Sequence, residues 1–246
     1  MGLAGVIRNA WTANCRQRQF GRMMRTAPGL AGLYERAKAE WPGDFVVEEI
    51  RQEGQAHPLP YIHFECEFAS RTIHAHAPTT ILDVGSYRQW LLGLLAKQAV
   101  TTVDVRSRPP SLETETILTC DVQQLPESAG PFDMVTSLSS IEHFGLGRYG
   151  DPLDFEGDRK ALARLIARLK TGGHLVLSVP ITQGRPQIRF NLHRIYGYEQ
   201  ILAMLSGMVL TEERYVKRKP ARWCDRQELC TQPGEFDVYC GCFKKK

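Results

Sequence analysis

The stretch TTILDVGS (residues 79–86) decides the fold. Its apolar run ends at Gly85, which predicts a buried strand followed by a turn. The next segment, YRQWLLGLLAKQ (residues 87–98), repeats apolar side chains at helical spacing, and AVTTVDVR (residues 99–106) is rich in β-branched residues. Strand, helix and strand in this order predict a βαβ unit with two parallel strands.

The same alternation continues to the end of the chain. Further strands are predicted at residues 116–122, 131–138, 174–181, 209–218 and 236–243, and further helices at residues 158–173 and 196–207. Strands that alternate with amphipathic helices favour a sheet covered by helices on both faces. The predicted fold is therefore α/β, a doubly wound and mostly parallel sheet of seven strands, in a domain that spans residues 76–246.

Residues 1–75 differ in texture and are predicted to form a mostly helical or irregular extension. Five arginines precede the first acid, Glu35, and apolar residues recur at helical spacing over residues 3–18. The last three residues are all lysine, so both ends are locally basic. The alternatives for the N-terminus are a solvated basic helix, a peripheral contact with an anionic membrane surface, and an organelle transit peptide.

The overall composition is that of an ordinary soluble globule. Hydrophobic residues make up 43% of the chain, charged residues 24%, and the formal net charge is +4. No apolar run approaches the roughly 18 residues of a membrane span. Seven cysteines without a secretory signal favour reduced thiols and a cytoplasmic location. Four of them lie between Cys224 and Cys242, but without a C-x2-C knuckle, so no metal site is predicted and structural zinc remains the alternative.

Acids stand at the predicted carboxyl ends of three successive strands. They are Asp83, Asp104 and Asp121, and ligands of such sheets bind at this edge. Asp104 is placed to accept hydrogen bonds from ribose hydroxyls, and Asp121 from the exocyclic amine of an adenine. Gly85 permits a close backbone approach, and Ser86 is predicted to cap the following helix. The absence of G-x-G-x-x-G argues against a dinucleotide, so the sequence predicts an adenosine site.

These features resemble the class I S-adenosylmethionine-dependent methyltransferases over residues 80–243. The resemblance is carried by LDVGS, Asp104, Asp121, FDMVTSLSSIEH (residues 132–143), LKTGGHLVLSVP (residues 169–180) and the last strand pair. It implies S-adenosyl-L-methionine as the cofactor and a final strand antiparallel to the others. The cofactor-binding residues that it implies are Asp83, Gly85, Ser86, Asp104, Asp121 and Ser137. Tyr87 stands where this family usually has a second glycine.

A narrower likeness concerns the loop after the fourth strand. SLSSIEHFGLGRYGDP (residues 137–152), SVPI (residues 178–181) and FNLHRIY (residues 190–196) resemble a poorly characterised methyltransferase-like subgroup. Its members are frequently found with enzymes that build surface polysaccharides. The resemblance implies a role in polysaccharide biosynthesis, with a sugar or glycoconjugate as the acceptor.

Methyl transfer to a sugar hydroxyl requires a base, because the hydroxyl holds its proton tightly. His143 is the first candidate for the general base, since imidazole titrates near neutral pH. His193 is the second candidate, and Glu142 is the third predicted catalytic residue. The residues predicted to bind the acceptor are Arg148, Tyr149, Asp151 and Arg194.

Structural roles are the alternatives for these residues. His143 would then only hydrogen-bond the loop, and Arg148 would pair with Asp151 or Asp154. A further alternative places a divalent cation on Asp151, Asp154 and Asp158 beside His143.

The sequence thus predicts an S-adenosylmethionine-dependent O-methyltransferase of a small polar acceptor. The alternative is a non-catalytic binding or scaffold protein with a degenerate methyltransferase fold, which the single glycine of the first turn motivates. A nucleic-acid partner is not expected, because the chain has no N-P-P-Y-like motif and no aromatic-basic stripe. The acceptor, the methylated atom and the oligomeric state do not follow from the sequence.

Overall fold

The structure, a computed structural model, describes residues 28–40, 60–190 and 192–246. The chain divides into two compact units, Met1–Pro58 and Leu59–Lys246. In the first unit, helix α1 (Pro28–Glu40) is described, with an exposed ion pair between Arg36 and Glu40. The amphipathic helix predicted at residues 3–18 lies outside the described residues. The domain boundary predicted after residue 75 stays a prediction.

The second unit contains the sheet and its helices. Its helices are α2 (Tyr61–His76), α3 (Arg88–Leu95), α4 (Gly157–Ala167) and α5 (Tyr198–Met204). Its strands are β1 (Ile81–Val84), β2 (Val100–Asp104), β3 (Glu115–Thr119), β4 (Phe132–Leu138), β5 (Leu169–Ile181), β6 (Gln187–Arg189), β7 (His193–Ile195), β8 (Met208–Arg218), β9 (Ala221–Cys224) and β10 (Asp237–Lys245).

The main sheet has the order β3-β2-β1-β4-β5-β10-β8-β9. Strands β1 to β5 are parallel, and β10 runs antiparallel to both β5 and β8. The predicted α/β fold with a mostly parallel sheet is therefore confirmed, including the antiparallel last strand. The sheet has eight strands rather than seven, because β9 folds back on β8 as an additional edge strand.

Helices cover both faces of this sheet. On one face, α2 and α3 pack with residues such as Phe68 and Leu95 against Val176 and Cys240. On the other face, α4 and α5 pack with Leu162 and other apolar side chains. Cys240 and Cys242 share the first face, where they pack as buried free thiols. Helix α2, which lies in the predicted N-terminal extension, therefore packs directly on the sheet.

The helix predicted at residues 158–173 is shorter than expected. Helix α4 ends at Ala167, and β5 already begins at Leu169. The reason is tertiary pairing, because Leu169 lies opposite Phe132 of the neighbouring strand β4. The glycines that were expected to end the helix therefore lie in a strand. No helix among the described residues is long and apolar enough to cross a membrane.

Candidate active site

A cleft opens at the carboxyl ends of the parallel strands. Its wall is formed by Val84, Gly85, Val103, Asp104, Val105, Arg106, Cys120, Asp121, Val122, Gln123, Ser139, Ser140, His143, Phe144, Gly145, Tyr149 and Asp151. The segments that follow β1, β2, β3 and β4 all contribute. The cleft lies where the strand order turns back at β1 and β4, which is the usual ligand-binding place in such sheets.

The turn after β1 brings the backbone close to its neighbours. Gly85 has a φ of +67°, and a Cβ at this position would collide with the Oγ atom of Ser140. A side chain is therefore disfavoured here, because it would require a left-handed backbone and a displaced Ser140 hydroxyl. The carboxyl of Asp83 lies beneath this turn, where it accepts hydrogen bonds from Thr136 Oγ1 (2.7 Å) and from the backbone N–H of Ser86 (3.3 Å). Burial raises the pKa of Asp83 to about 6. Asp83 thus braces the turn.

Ser86 does not cap the following helix, so this prediction was wrong. The N-cap of α3 is Tyr87, and no side chain caps the helix. The hydroxyl of Ser86 instead accepts a hydrogen bond from the backbone N–H of Leu138 at 3.3 Å. The reason is tertiary, because β4 lies beside β1 and offers the N–H group at the end of the strand.

Asp104 lies at the cleft wall at the end of β2, as the sequence predicts. It accepts hydrogen bonds from the Arg106 backbone N–H and Nε at 2.9 Å, and from Nη2 at 2.8 Å. Burial raises the pKa of Asp104, but the hydrogen bonds and charge of Arg106 outweigh it and leave the pKa lowered. The carboxylate is thus ionised and keeps about one of its roughly four acceptor sites for a further donor while Arg106 is in place.

The remaining predicted cofactor residues separate into two groups. Asp121 lines the cleft, and its Oδ1 accepts from the backbone N–H of Gln123 at 2.8 Å, which caps a short 3-10 turn. Ser137 is fully buried inside β4, away from the cleft wall. Two serines that the prediction missed, Ser139 and Ser140, line the cleft instead. Both directly follow β4, whereas Ser137 is still inside it. The sequence alone does not show where the strand ends, so it does not distinguish these serines.

His143 is the imidazole on the cleft wall. Its Nδ1 atom lies 2.6 Å from the carbonyl oxygen of Leu192. The same oxygen accepts from Arg148 Nη1 at 2.9 Å. Burial is the main cause that lowers the pKa of His143, and the charge of Arg148 adds to it. The ring is therefore neutral near pH 7 and can accept a proton.

Glu142, the neighbour of His143, is almost completely buried, with 2% of its surface exposed. Its Oε1 lies 3.7 Å from His143 Nε2, while its Oε2 has no hydrogen-bond partner among the described residues. Burial, and then the charge of Glu65, raises its pKa well above the usual value. His193 is also buried, and its ring centroid lies 6.3 Å from that of His143. The structure thus brings the three predicted catalytic residues together.

Glu65 of helix α2, which the sequence analysis did not single out, contacts a residue of the cleft wall. Its Oε1 accepts hydrogen bonds from the hydroxyls of Ser139 and, at 3.0 Å, of Ser178. Burial raises its pKa to about 7. Ser139 has the left-handed φ of +47°, which is uncommon for a residue with a side chain. A signal was present, because Glu65 stands at helical spacing among the buried Phe64, Phe68 and Ala69.

The loop after His143 forms the outer wall. Tyr149 lies between two guanidinium groups, those of Arg106 and Arg148, each 5.3 Å from its ring centroid. Asp151 accepts from the backbone N–H groups of Tyr149 (3.0 Å) and Gly147 (3.2 Å), so it orders the loop. Arg148 donates to the Leu192 carbonyl instead of forming the ion pair considered for it.

Arg194 is not in the cleft wall but inside the framework that holds the loop. It is buried, donates to the carbonyl of Phe144 at 2.5 Å and pairs with Asp158 at 3.4 Å. Asp158 in turn accepts from the hydroxyl of Tyr196 at 2.8 Å. Arg194 thus holds the loop from inside the protein. These contacts are structural, and they do not support the acceptor-binding role predicted for it. Within the described ranges, no group of three or more His, Cys, Asp or Glu side chains is arranged to hold a metal ion.

Residues 111–221 match a family described as Caenorhabditis protein of unknown function, DUF268. No curated protein sequence matches the chain significantly.

Solved structures of two methyltransferases and of a cyclase share the fold. The 1,6-didemethyltoxoflavin-N1-methyltransferase of Burkholderia thailandensis, solved with S-adenosylhomocysteine, has a TM-score of 0.54 at 21% identity over 74% of this chain and 78% of that one. The N-methyltransferase NodS of Bradyrhizobium japonicum has a TM-score of 0.51 at 14% identity, over 75% and 87% of the two chains. The [4+2]-cyclase SpnF has a TM-score of 0.56 at 17% identity, over 75% and 80%. At such identities these likenesses establish the fold that the chain shares with S-adenosylmethionine-dependent methyltransferases.

Proposed function

We propose that the cleft binds S-adenosylmethionine and that the protein transfers its methyl group to a hydroxyl of a small polar acceptor, a sugar or a glycoconjugate. The observation that carries the proposal is the meeting of Gly85, Asp104 and His143 in one cleft. This reaction requires a turn that lets the cofactor approach the backbone, a carboxylate that binds the ribose hydroxyls, and a neutral base. The shared fold with known methyltransferases supports it.

The residues present fit the cofactor. Gly85 has a left-handed backbone and no side chain, so its backbone could approach the methionine part of the cofactor closely. Asp104 would accept the ribose hydroxyls, and Asp121 and Gln123 line the cleft where the adenine would lie. When bound, the cofactor supplies an electrophilic methyl group.

His143 would act as the general base. Its Nδ1 carries the proton that is donated to Leu192, so the lone pair is on Nε2. The Nε2 atom would take the acceptor hydroxyl proton while the oxygen forms its bond to the methyl carbon and the S–C electron pair stays on sulfur. Arg148 holds the same carbonyl, which fixes the orientation of the ring. Positioning of this kind contributes much of the rate enhancement.

The exposed part of the loop would contact the acceptor. Tyr149 and Asp151 line the cleft, and the ring of Tyr149 offers a flat surface against which a sugar ring can pack. The narrower sequence resemblance adds the acceptor class and the role in polysaccharide biosynthesis. A cytoplasmic location is part of this proposal.

A second candidate function is a non-catalytic binding or scaffold role. The observation that favours it is the Arg106 side chain, which occupies both carboxylate oxygens of Asp104. Arg106 is largely exposed, with 66% of its side-chain surface accessible, so a bound ribose can displace it at small cost.

Calorimetric titration with S-adenosylhomocysteine separates the two functions. We expect the wild-type protein to bind, and Asp104→Ala to lose at least about tenfold in affinity, since hydrogen bonds to a charged group are worth roughly 1.5–3 kcal/mol. Arg106→Ala should bind at least as tightly as the wild type, because it frees the carboxylate. Glu113→Ala removes an exposed acid as a control. A folded wild-type protein without affinity would favour the scaffold role.

A further inference from the structure

The four most exposed large hydrophobic side chains of the described residues lie in two neighbouring segments. Phe155 is 80% exposed and Phe190 72%, followed by Leu153 at 57% and Ile188 at 55%. Leu153 and Phe155 belong to the loop between β4 and α4, whereas Ile188 and Phe190 belong to β6 and the turn that follows it. We call these four side chains the apolar patch. Scattered exposed hydrophobic residues are ordinary, but a group of this kind marks a contact surface.

The two segments that carry the apolar patch are held together by buried contacts. Nη2 of the buried Arg194 lies 3.5 Å from the carbonyl oxygen of Phe155, and Arg194 is the cross-strand partner of Ile188. Phe155 and Ile188 line the same depression of the surface. The second segment also reaches the wall of the cleft, where the Leu192 carbonyl lies against His143. The apolar patch is therefore one surface, and it adjoins the cleft.

Folding does not explain the apolar patch. Other large hydrophobic residues of the same two segments, Leu146 and Ile195, are buried in the body of the protein. Apolar side chains stabilise a fold in proportion to the surface that they bury, so an 80% exposed Phe155 adds little. It also has little protein around it and protrudes from the surface. The four side chains are therefore available to a partner.

Arginines without ion pairs surround the apolar patch. In residues 145–160 and 182–194, Asp154 pairs with Lys160 and Arg194 with Asp158. The charged side chains of these ranges that form no ion pair with a described residue are Arg148, Arg159, Arg185, Arg189, Asp151 and Glu156. Cations thus outnumber acids by four to two, and Asp151 already accepts from two backbone N–H groups of its own loop. The charge around the patch favours an anionic partner.

A second copy of this chain fits the surface poorly. A two-fold interface brings the same patch of both subunits together, so the arginines of one copy would face those of the other. Like charges that meet across an interface lower the affinity. A protein partner of another kind needs a surface shaped to the protruding side chains. Apolar side chains enter the boundary between lipid headgroups and acyl chains without any such matching surface.

We propose that the apolar patch and the surrounding arginines dock the protein on a lipid bilayer with anionic headgroups. The apolar side chains enter the headgroup boundary, and the guanidinium groups pair with lipid phosphates and carboxylates. Arginine suits this place, because its apolar stem lies along the acyl boundary while its charge stays at the headgroups. The surface lies outside the cleft and outside the basic N-terminus, so the inference does not depend on the proposed transfer.

Co-sedimentation of the full chain with lipid vesicles tests the proposal. One set of vesicles contains phosphatidylcholine alone, and the other contains phosphatidylcholine and phosphatidylserine in equal parts. We expect the protein to bind the anionic vesicles at least about tenfold more tightly than the neutral ones, since each basic side chain near an anionic surface contributes about fivefold. Added salt should weaken the binding, because it screens exposed charges.

Matched variants locate the contact. Phe155→Ser should weaken binding to the anionic vesicles about tenfold, because it removes a protruding apolar side chain. Leu112→Ser, at an exposed apolar position in the loop between β2 and β3, should leave the affinity unchanged.

Arg185→Gln should weaken the binding about fivefold. Lys97→Gln removes an exposed cation that precedes β2 at the opposite edge of the sheet, and it should have a much smaller effect. All four side chains are exposed, and thermal unfolding establishes that each variant is folded. The affinity for S-adenosylhomocysteine should be the same in all of them, which keeps this test separate from that of the cofactor.

Three results would overturn the inference. The wild-type protein would fail to bind the anionic vesicles, or it would bind them and Phe155→Ser would bind equally well, which would place the membrane contact elsewhere, as at the basic N-terminus. The third is a wild-type dimer in sedimentation velocity that Phe155→Ser dissociates, which would show that a second copy covers the apolar patch.

Discussion

The Nδ1 atom of His143 lies 2.6 Å from the carbonyl oxygen of Leu192, and this contact determines what the imidazole can do. A carbonyl oxygen only accepts hydrogen bonds, so Nδ1 is the protonated nitrogen and Nε2 has the free lone pair. Leu192 lies in the segment before β7, and His143 in the turn after β4. Two loops that are distant in sequence therefore orient one base.

Removal of this base should strongly slow turnover and leave cofactor binding intact. We expect His143→Ala to lower kcat by about 10²–10⁴, the usual contribution of a general base. Methyl incorporation into a panel of monosaccharides and nucleotide sugars, together with the affinity for S-adenosylhomocysteine, measures the two effects. His74→Ala, on the exposed side of α2, is the control. Full turnover in His143→Ala would assign the residue to the loop framework.

The pH dependence of the reaction should reflect the lowered pKa of His143. Burial is the main cause, Arg148 lowers the pKa further, and Asp151 and the Leu192 carbonyl oppose this. Because the base must be unprotonated, kcat/KM should rise with pH, and the midpoint of this rise should lie below the usual imidazole pKa of about 6.5. A kcat/KM profile with an acid limb centred above pH 7 would contradict this assignment.

Glu65 should make the protein less stable as the pH rises. Burial raises its pKa from 4.5 to about 7, so the folded state binds the proton more tightly than the unfolded state. The resulting stabilisation is fully present below pH 4.5 and is lost as the pH rises through about 7. This pKa shift changes the free energy of unfolding by roughly 3 kcal/mol at most.

Denaturant unfolding at pH 5 and pH 8 measures this effect. The difference in unfolding free energy between the two pH values should be smaller in Glu65→Gln than in the wild type. Asp83 and Glu142 also have raised pKa values, so only the difference between variants is informative. Glu67→Gln, exposed on the same helix, should behave as the wild type. Identical differences in all three proteins would exclude a buried, protonated Glu65.

Gly145 should not tolerate a side chain. Its φ is +73°, and a Cβ would collide with the carbonyl oxygen of Asp154. We expect Gly145→Ala to destabilise the protein by roughly 1–3 kcal/mol, measured by denaturant unfolding. Gly93→Ala is the matched control, because Gly93 lies in helix α3 with open space around it and should gain up to about 1 kcal/mol. Equal effects of the two substitutions would refute the tight loop.

Arg194 should act through stability rather than through the acceptor. Its guanidinium donates to the Phe144 carbonyl and pairs with Asp158, and lysine cannot reproduce this fork. We expect Arg194→Lys to lower the unfolding free energy by roughly 2–4 kcal/mol. Arg159→Lys, at an exposed position of α4, should have little effect. A variant of normal stability that has lost only acceptor affinity would restore the role predicted from the sequence.

The sequence alone determined the parallel sheet, its antiparallel last strand and the strand ends at which Asp104 and Asp121 line the cleft. The antiparallel direction of the last strand was implied by the resemblance to class I methyltransferases, and the other features are consequences of local patterns. Apolar runs that alternate with amphipathic segments can bury their faces only in such a layered sheet, and the carboxyl ends of its parallel strands meet at one edge. The same reasoning predicted that His143 and His193, which both follow strands of the sheet, lie near one site.

Only the tertiary structure decided which side chains face the cleft and which hold it together. Ser86 satisfies a backbone group of β4, Ser137 is enclosed in the sheet, and Arg194 is bound to carbonyl groups of the loop. Glu65 reaches Ser139 from a helix 74 residues away in the chain. Such contacts join segments far apart in sequence, and no local pattern specifies them, because each depends on how buried polar groups find partners once the layers have packed.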